Sequence, residues 1–236
     1  MASPRYGKNC LNLAISALLL LILGPLLTRF DLLPFQFGLL AVALATLLAL
    51  VTTLASLWAL RYGSDKKLLL AIVLSAAPLA LAISTMSSGF GAPRIHDIST
   101  DTEDPPQFTT APTLPRAAQN SLTYDSKNAP LQMKAYPNLK TLVSDRPPAQ
   151  AFVDALTVAQ HLGWAIYAQD AEQGRIEAVD TTTLFGFKDD IVIRIRADER
   201  SGSVIDLRSV SRVGEGDLGA NAKRIERFIK TFQASL

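Results

Sequence analysis

The chain has 236 residues, of which 49% are hydrophobic, and its mean hydropathy is +0.23. Residues 1–91 hold six Lys/Arg and two Asp, whereas residues 92–236 hold 17 Lys/Arg and 19 Asp/Glu. Neither part is a polycation, so the charge pattern argues against a nucleic-acid partner. The single cysteine, Cys10, lies in the first part, and the second part therefore owes nothing to disulfide bonds.

Three uncharged apolar runs occupy most of the first part, at residues 10–28, 35–60 and 68–90. Each run is long enough to cross a hydrocarbon layer of ~30 Å at ~1.5 Å per helical residue. Three such runs in succession favour membrane spans over buried helices of a soluble protein. We therefore predict that residues 1–91 form a transmembrane region whose partner is the lipid bilayer.

The basic residues beside these spans predict their orientation. Arg5 and Lys8 precede the first span, Arg29 alone follows it, and the second loop holds Arg61, Lys66 and Lys67. Because cytoplasmic loops carry the excess of Lys/Arg, the N-terminus and the second loop should be cytoplasmic. The C-terminal part should then lie outside the bacterial inner (cytoplasmic) membrane, in the periplasm.

Residues 92–148 contain nine of the 13 prolines and few apolar clusters, so this segment should be an extended linker or arm. Its sequence leaves open whether it is a free tether or lies over the folded domain. The acidic residues in it, Asp97, Asp101, Glu103 and Asp104, are candidate partners for a basic surface.

Residues 149–236 have the pattern of an α+β domain. Apolar residues at helical spacing indicate one helix ending before Gly163 and another from about Leu218 to Phe232. Four alternating runs lie between these helices, at 164–169, 175–181, 190–197 and 203–212. Their short connections, including Arg200 to Gly202, predict an antiparallel meander of four strands with both helices on one face. A fifth strand near 139–143 would precede them.

Strand alternation also predicts a charged second face. If Ile191, Ile193 and Ile195 face the helices, the charged residues between them point the opposite way. The candidate binding residues on or near this face are Arg194, Arg196, Arg208, Arg212, Glu177, Asp206, His96, Asp97 and Asp101. One interpretation is a solvated face with cross-strand ion pairs. A second is a recognition surface for a carboxylate, a phosphate or an acidic segment, since guanidinium groups bind such anions bidentately. A third is that the linker's own aspartates occupy it.

Three glycines, Gly214, Gly216 and Gly219, have the spacing of a dinucleotide-binding fingerprint between a strand and a helix. A dinucleotide fold needs a further parallel strand with an acidic residue after that helix, and the 17 residues after Gly219 are all used by the helix. Asp217 would also place a negative charge where a phosphate should bind. The pattern therefore predicts a tight turn capped by Asp217, and no nucleotide partner.

No motif of this chain demands an enzyme or a cofactor. His96 and Asp97, with Asp189 or Asp190, could serve a hydrolase or a metal-dependent enzyme, but their spacing matches no standard ligand pattern. A carrier of lipids or small molecules is a further alternative. The leading hypothesis is a non-enzymatic cell-envelope protein whose outer domain binds an envelope protein or an anionic ligand.

Four segments together resemble the domain of unknown function 1499 family. They are HDISTDTEDPPQF, YPNLK, GRIEAVDTTTLFGFKDDIVIRI and DLRSVSRVGEGDLGANAKRI, in this order, and the resemblance covers about residues 93–233. It implies a membrane-attached or exported bacterial-type domain, with plastid relatives, whose activity is not established. It supplies no catalytic residues, but it implies that the segment beginning at His96 belongs to the domain.

Overall fold

The structure is a computed structural model that describes residues 4–115, 119–199 and 201–234. It has two compact units. One comprises the chain through Ser88 together with Thr183–Gly186, and the other comprises Gly89–Thr182 and Phe187–Leu236. The segments that we predict as a linker, 92–148, and as a domain, 149–236, thus both lie in the second unit, apart from Thr183–Gly186.

The first unit contains helices α1 (Pro4–Arg29), α2 (Phe35–Leu60) and α3 (Lys66–Gly89), except for Gly89, the last residue of α3, which belongs to the second unit. All three are long and apolar enough to cross a membrane, which confirms the predicted apolar N-terminal helices. The buried positions of α2 hold small residues, namely Gly38, Ala45, Ala49, Thr52, Ser56 and Ala59. Its leucines are mostly exposed. This distribution suits a helix that packs on other helices through small side chains and faces lipid with large ones.

Helices α1 and α2 approach each other closely around Gly24 and Gly38. A methyl group added to Gly24 would collide with the side chain of Ala41, and one added to Gly38 would collide with Thr28. Lipid tails supply no hydrophobic drive for helix association, so close backbone packing has to provide the attraction. The two glycines permit that packing.

The second unit is built on an antiparallel meander of β3 (Ala165–Asp170), β4 (Arg175–Thr181), β5 (Lys188–Ala197) and β6 (Ser203–Ser211). These strands confirm the predicted α+β class. Gly174, in the turn between β3 and β4, has φ +61°, and a side chain there would collide with the carbonyl of Ile195. The predicted turn between β5 and β6 begins at Arg200, which lies outside the described residues.

Two short strands, β1 (Asp97–Ser99) and β2 (Leu142–Ser144), pair in tandem with the edge of β6 that β5 leaves free. The sheet therefore has six strands, where the sequence predicts four or five. Strand β2 lies close to the predicted fifth strand, whereas β1 falls in the segment expected to be extended or coil. Three residues are too few to show an alternating pattern, so β1 is recognised only once its pairing partner is known.

The main hydrophobic core lies between one face of this sheet and helices α5 (Pro148–His161) and α6 (Ala220–Ala234). Strand residues such as Ile191 and Ile193 are fully buried against these helices. The ring of Phe228 stacks between Trp164 and Phe232, with centroid distances of 5.5 and 6.1 Å. Burying each such side chain stabilises the fold by about 1.5–3 kcal/mol. Both helices lie on one face, as predicted.

A seven-residue helix, α4 (Ala129–Ala135), protects the outer edge of β1. The side-chain amide of Gln132 accepts a hydrogen bond from the Ser99 N–H at 3.0 Å and donates one to the Ser99 carbonyl at 2.6 Å. It therefore satisfies the same backbone groups that a further strand would use.

Candidate functional site

The charged residues predicted for the second face lie there together. Arg194 on β5 stands directly opposite Asp206 on β6, and Glu177 on β4 shares a cross-strand row with Arg208. The face opposite α5 and α6 is called the arginine face below, and its charged residues include Glu177, Arg194, Arg196, Asp206, Arg208 and Arg212. Alternation of side chains along each strand places them on this side.

The arginine face is covered by part of its own chain. The described residues 100–115 and 119–124, called the arm below, lie between β1 and α4 in the chain and contact this face. Phe108 and Ala111 of the arm pack on Val192 and Val210 of the sheet, forming a small apolar cluster separate from the main core. The face is therefore an interior surface of the unit over much of its area.

Arg208 holds the centre of the arm. Its guanidinium donates two hydrogen bonds to the Asp97 carboxylate, at 2.9 and 2.8 Å. It also donates to the carbonyls of Pro106 and Leu122, at 3.2 and 2.7 Å. The rings of Phe108 and Tyr124 lie 5.4 and 5.3 Å from the guanidinium carbon. The Arg208 side chain is fully buried, and a buried charge needs this degree of pairing to offset lost hydration.

Glu177 anchors the arm at a second point. Its carboxylate, which is almost completely buried, accepts hydrogen bonds from the backbone N–H groups of Thr109, Thr110 and Ala111 at 2.7–2.9 Å. The Thr109 hydroxyl adds a fourth, at 2.8 Å. These N–H groups open the short 3₁₀ helix Ala111–Thr113, and a carboxylate satisfies donors at such a start. The contact spans more than 60 residues of sequence.

At the rim of the face, two arginines share one buried carboxylate. Asp206 is fully buried and accepts from Arg194 at 3.1 Å and from Arg196 at 2.8 Å. The Thr141 and Thr100 hydroxyls also donate to it, at 2.6 and 3.2 Å. Asp206, itself held by these hydroxyl groups, therefore fixes the position of both guanidinium groups.

The arm supplies two more aspartates to the same rim. Arg194 donates to Asp104 at 2.9 Å and to Asp101 at 3.3 Å. Arg196 lies 3.5 Å from the Asp104 carboxylate and 3.8 Å from that of Asp101. Together with Asp206, the rim cluster has three carboxylates for two guanidinium groups, so its positive charge is already balanced within the chain. We call Arg194, Arg196, Asp101, Asp104 and Asp206 the rim cluster.

Arg212 lies at the other end of the face. It donates two hydrogen bonds to Asp190, at 3.0 and 2.7 Å. These hydrogen bonds raise the pKa of Arg212 against the opposing effect of burial. The backbone of Asn120 donates to the Arg212 carbonyl at 2.7 Å, which ties the arm down at this end.

The residues considered for a hydrolase or a metal site point to different partners. Asp189 and Asp190 are neighbours on β5 and lie on opposite faces, where they pair with Arg224 and Arg212. Asp97 is held by Arg208. The His96 carbonyl accepts from the Ser211 N–H and the Asn221 amide. In the described part of the chain, no three His, Cys, Asp or Glu side chains converge in a way that could hold a metal.

Comparison with known proteins supports the resemblance found in the sequence. The family model described as protein of unknown function (DUF1499) matches residues 97–232, more than half of the chain. The chain belongs to the DUF1499 family. No curated protein matches it significantly. The family match begins at β1 and includes the arm.

The DUF1499 domain contains a second polar cluster that sequence reasoning missed. Arg224, at the start of α6, is buried although it carries a charge. It donates to Asp180 at 2.7 Å and to Asp189 at 2.5 Å. These two aspartates stand directly opposite each other on β4 and β5. Like charges directly opposite each other are destabilising, and the Arg224 guanidinium offsets that cost by binding both carboxylates. Only the strand register reveals this arrangement, so the sequence alone carried no signal for it.

The glycine-rich loop of the DUF1499 domain forms the predicted capped turn. Asp217 accepts hydrogen bonds from the backbone N–H groups of Gly219 and Asn221, both at 2.8 Å. Its carboxylate thus occupies the N-terminal end of α6, where a bound phosphate would have to lie. Burial raises the pKa of Asp217, although these hydrogen bonds oppose the shift.

Proposed function

We propose that this DUF1499 protein is a membrane-anchored, non-enzymatic binding module that recognises a carboxylate- or phosphate-bearing partner at the rim cluster. The observation that carries the proposal is the state of Arg196. Its side chain is 44% exposed, while its guanidinium is anchored to the fully buried Asp206. A guanidinium that is held by a buried carboxylate on one side and is exposed to solvent on the other loses little side-chain entropy when it binds an anion.

The arm's own aspartate competes with such a partner. The Asp104 side chain is 68% exposed and lies against both arginines of the rim cluster. An incoming anion would have to replace it, whereas Asp206 would stay in place. Exposed ion pairs are worth at most about 1 kcal/mol and are screened by salt. Exchange at Asp104 therefore costs little, and the resulting binding should be weak and sensitive to ionic strength.

The experiment is a titration of the full-length protein in nanodiscs with inorganic phosphate and, separately, with a glutamate-rich peptide. Arg196→Gln should abolish the binding heat, and Asp104→Asn should tighten binding by up to about fivefold, the equivalent of the ~1 kcal/mol pair that it removes. Arg227→Gln is the matched control, because Arg227 is exposed on α6. Binding to the Arg196→Gln variant that equals binding to the parent protein would reject the rim cluster as the site.

We further propose that the domain lies on the outer side of a bacterial cytoplasmic membrane. The support is the distribution of basic residues, two before the first span, one in the first loop and three in the second. A carboxy-terminal alkaline phosphatase fusion should be active and a fluorescent-protein fusion dark. The reverse pattern would place the domain in the cytoplasm and leave the rim cluster to be judged by the titration alone.

A further inference from the structure

The loop between β6 and α6 carries a leucine in an unusual state. Leu218 has φ +54°, in the left-handed region that bulky residues rarely adopt, and its side chain is 53% exposed. Gly214 and Gly219 in the same loop also have positive φ, but glycine adopts it without strain. Leu218 is thus a strained leucine in a loop of glycines and charged residues, and more than half of its side chain is exposed.

The position of Leu218 relates it to the membrane. Its side chain packs against Gly89, where an added methyl group would lie 2.9 Å from the leucine Cδ2 atom. Gly89 is the last residue of α3, and the membrane-compatible stretch of that helix is Lys66–Ser87. Leu218 therefore contacts a residue two positions beyond the end of a span. That depth corresponds to the boundary between hydrocarbon and headgroups.

The neighbours of this contact have interfacial character. Phe90 follows Gly89 and is 93% exposed. Arg94 is also exposed, but its guanidinium is paired with Glu215, so the two charges offset each other. The attraction to lipid would come from the apolar side chains, Leu218 and Phe90, which gain most when they leave water.

We propose that the loop carrying Leu218 is a membrane-contacting element, which inserts the Leu218 side chain beside Phe90 into the interfacial layer of the bilayer. The occupant of this small apolar surface is the lipid around the end of α3. The Leu218 side chain packs against Gly89 while its backbone is held at positive φ. The inference is independent of anion binding at the rim cluster.

Methyl NMR on the full-length protein tests the inference with controls inside one sample. Leu218→Met is a volume-conserving change that introduces a methionine methyl signal at the site. The protein, labelled with ¹³C-methyl methionine, would be reconstituted in phosphatidylcholine and phosphatidylglycerol nanodiscs containing a headgroup spin-labelled lipid. Met86, within the apolar stretch of α3, serves as the membrane reference. Met133 on α4, 53% exposed like Leu218, serves as the reference for an exposed apolar residue elsewhere in the domain.

The spin label should reduce the signal from position 218 at least about twofold more than the signal from Met133, because interfacial side chains lie ~5–10 Å within the headgroup boundary. Equal broadening at position 218 and at Met133, with Met86 broadened, would overturn the inference. The unsubstituted protein gives the same Met86 and Met133 signals, so a change in either of them identifies a folding defect caused by the substitution. In that case, Leu218→Ile with methyl-labelled isoleucine repeats the measurement, and the same criterion against Met133 decides.

Discussion

The two faces of the sheet are closed by different physical means. The face toward α5 and α6 is sealed mainly by aliphatic and aromatic side chains, with Ile193 and Phe228 fully buried. The arginine face is sealed by the arm, through buried charges that each bind backbone groups or an opposite charge. Hydrophobic burial tolerates small adjustments of geometry, whereas a buried ion pair fails when either partner is lost. The second face should therefore be the more fragile of the two to single changes.

The largest expected effect comes from Arg208→Met, which leaves the Asp97 carboxylate buried without its partner. We expect the free energy of unfolding to fall by about 3–5 kcal/mol, measured by urea denaturation of the protein in detergent micelles. Ile193→Val, a change on the other face, should cost only about 0.5–1.5 kcal/mol. Equal losses from the two variants would show that the faces do not differ in fragility.

Adding Asp97→Leu to Arg208→Met sharpens this comparison. Removal of both charges also removes the cost of burying one of them alone, so the double variant should recover much of the lost stability. No recovery would mean that the contacts of Arg208 with the Pro106 and Leu122 carbonyls, not its charge pair, hold the arm.

A smaller effect is expected at Glu177, where the arm meets the sheet through backbone donors. Glu177→Gln keeps the shape but replaces one acceptor oxygen by an NH₂ group, which faces either the Ala111 N–H or the N–H groups of Thr109 and Thr110. We expect a loss of about 1–3 kcal/mol. Amide hydrogen exchange at residues 109–111 should accelerate far more than exchange in β5. Uniform acceleration across the unit would instead indicate that the arm and the sheet unfold as one.

The smallest effect concerns pH and Tyr124, whose ring lies on Arg208. Burial, followed by the negative charge of Asp97, raises the pKa of Tyr124 above its ordinary value of 10.0. As the pH rises through about 10, the unfolded chain loses this proton while the folded chain keeps it, so the protein should lose stability.

Urea denaturation from roughly pH 9 to 11 measures this loss. Tyr124→Phe should reduce the decline in stability with pH. Tyr136→Phe is a second variant for the same measurement, because burial also raises the pKa of Tyr136, which packs against the core on the other side of the sheet. Identical pH profiles for the parent and the Tyr124→Phe variant would contradict the assigned shift.

The sequence predicted which charged residues form the candidate site, but not which of them are buried and which are exposed. Alternation along β5 and β6 placed Arg194, Arg196 and Arg208 on one side, because side chains in a strand alternate between faces. Nothing local shows that Arg208 is fully buried while Arg196 is partly open. That difference depends on where the arm crosses the sheet, and the proline-rich arm has no periodic pattern to indicate its path. The burial of Arg224 was not predictable for a related reason, since its partners are on strands more than 30 residues away.

The sequence by itself determined the three apolar helices, the four-stranded meander, the side of the sheet that each charge faces and the Asp217 cap. These features follow from hydropathy, alternation and capping, which act over a few neighbouring residues. Only the tertiary structure decided that β1 and β2 share one edge of β6, that the arm covers the arginine face and that Leu218 contacts Gly89. Each of those depends on pairing between segments remote in the chain, where burial and hydrogen bonding are satisfied only after the whole unit has assembled.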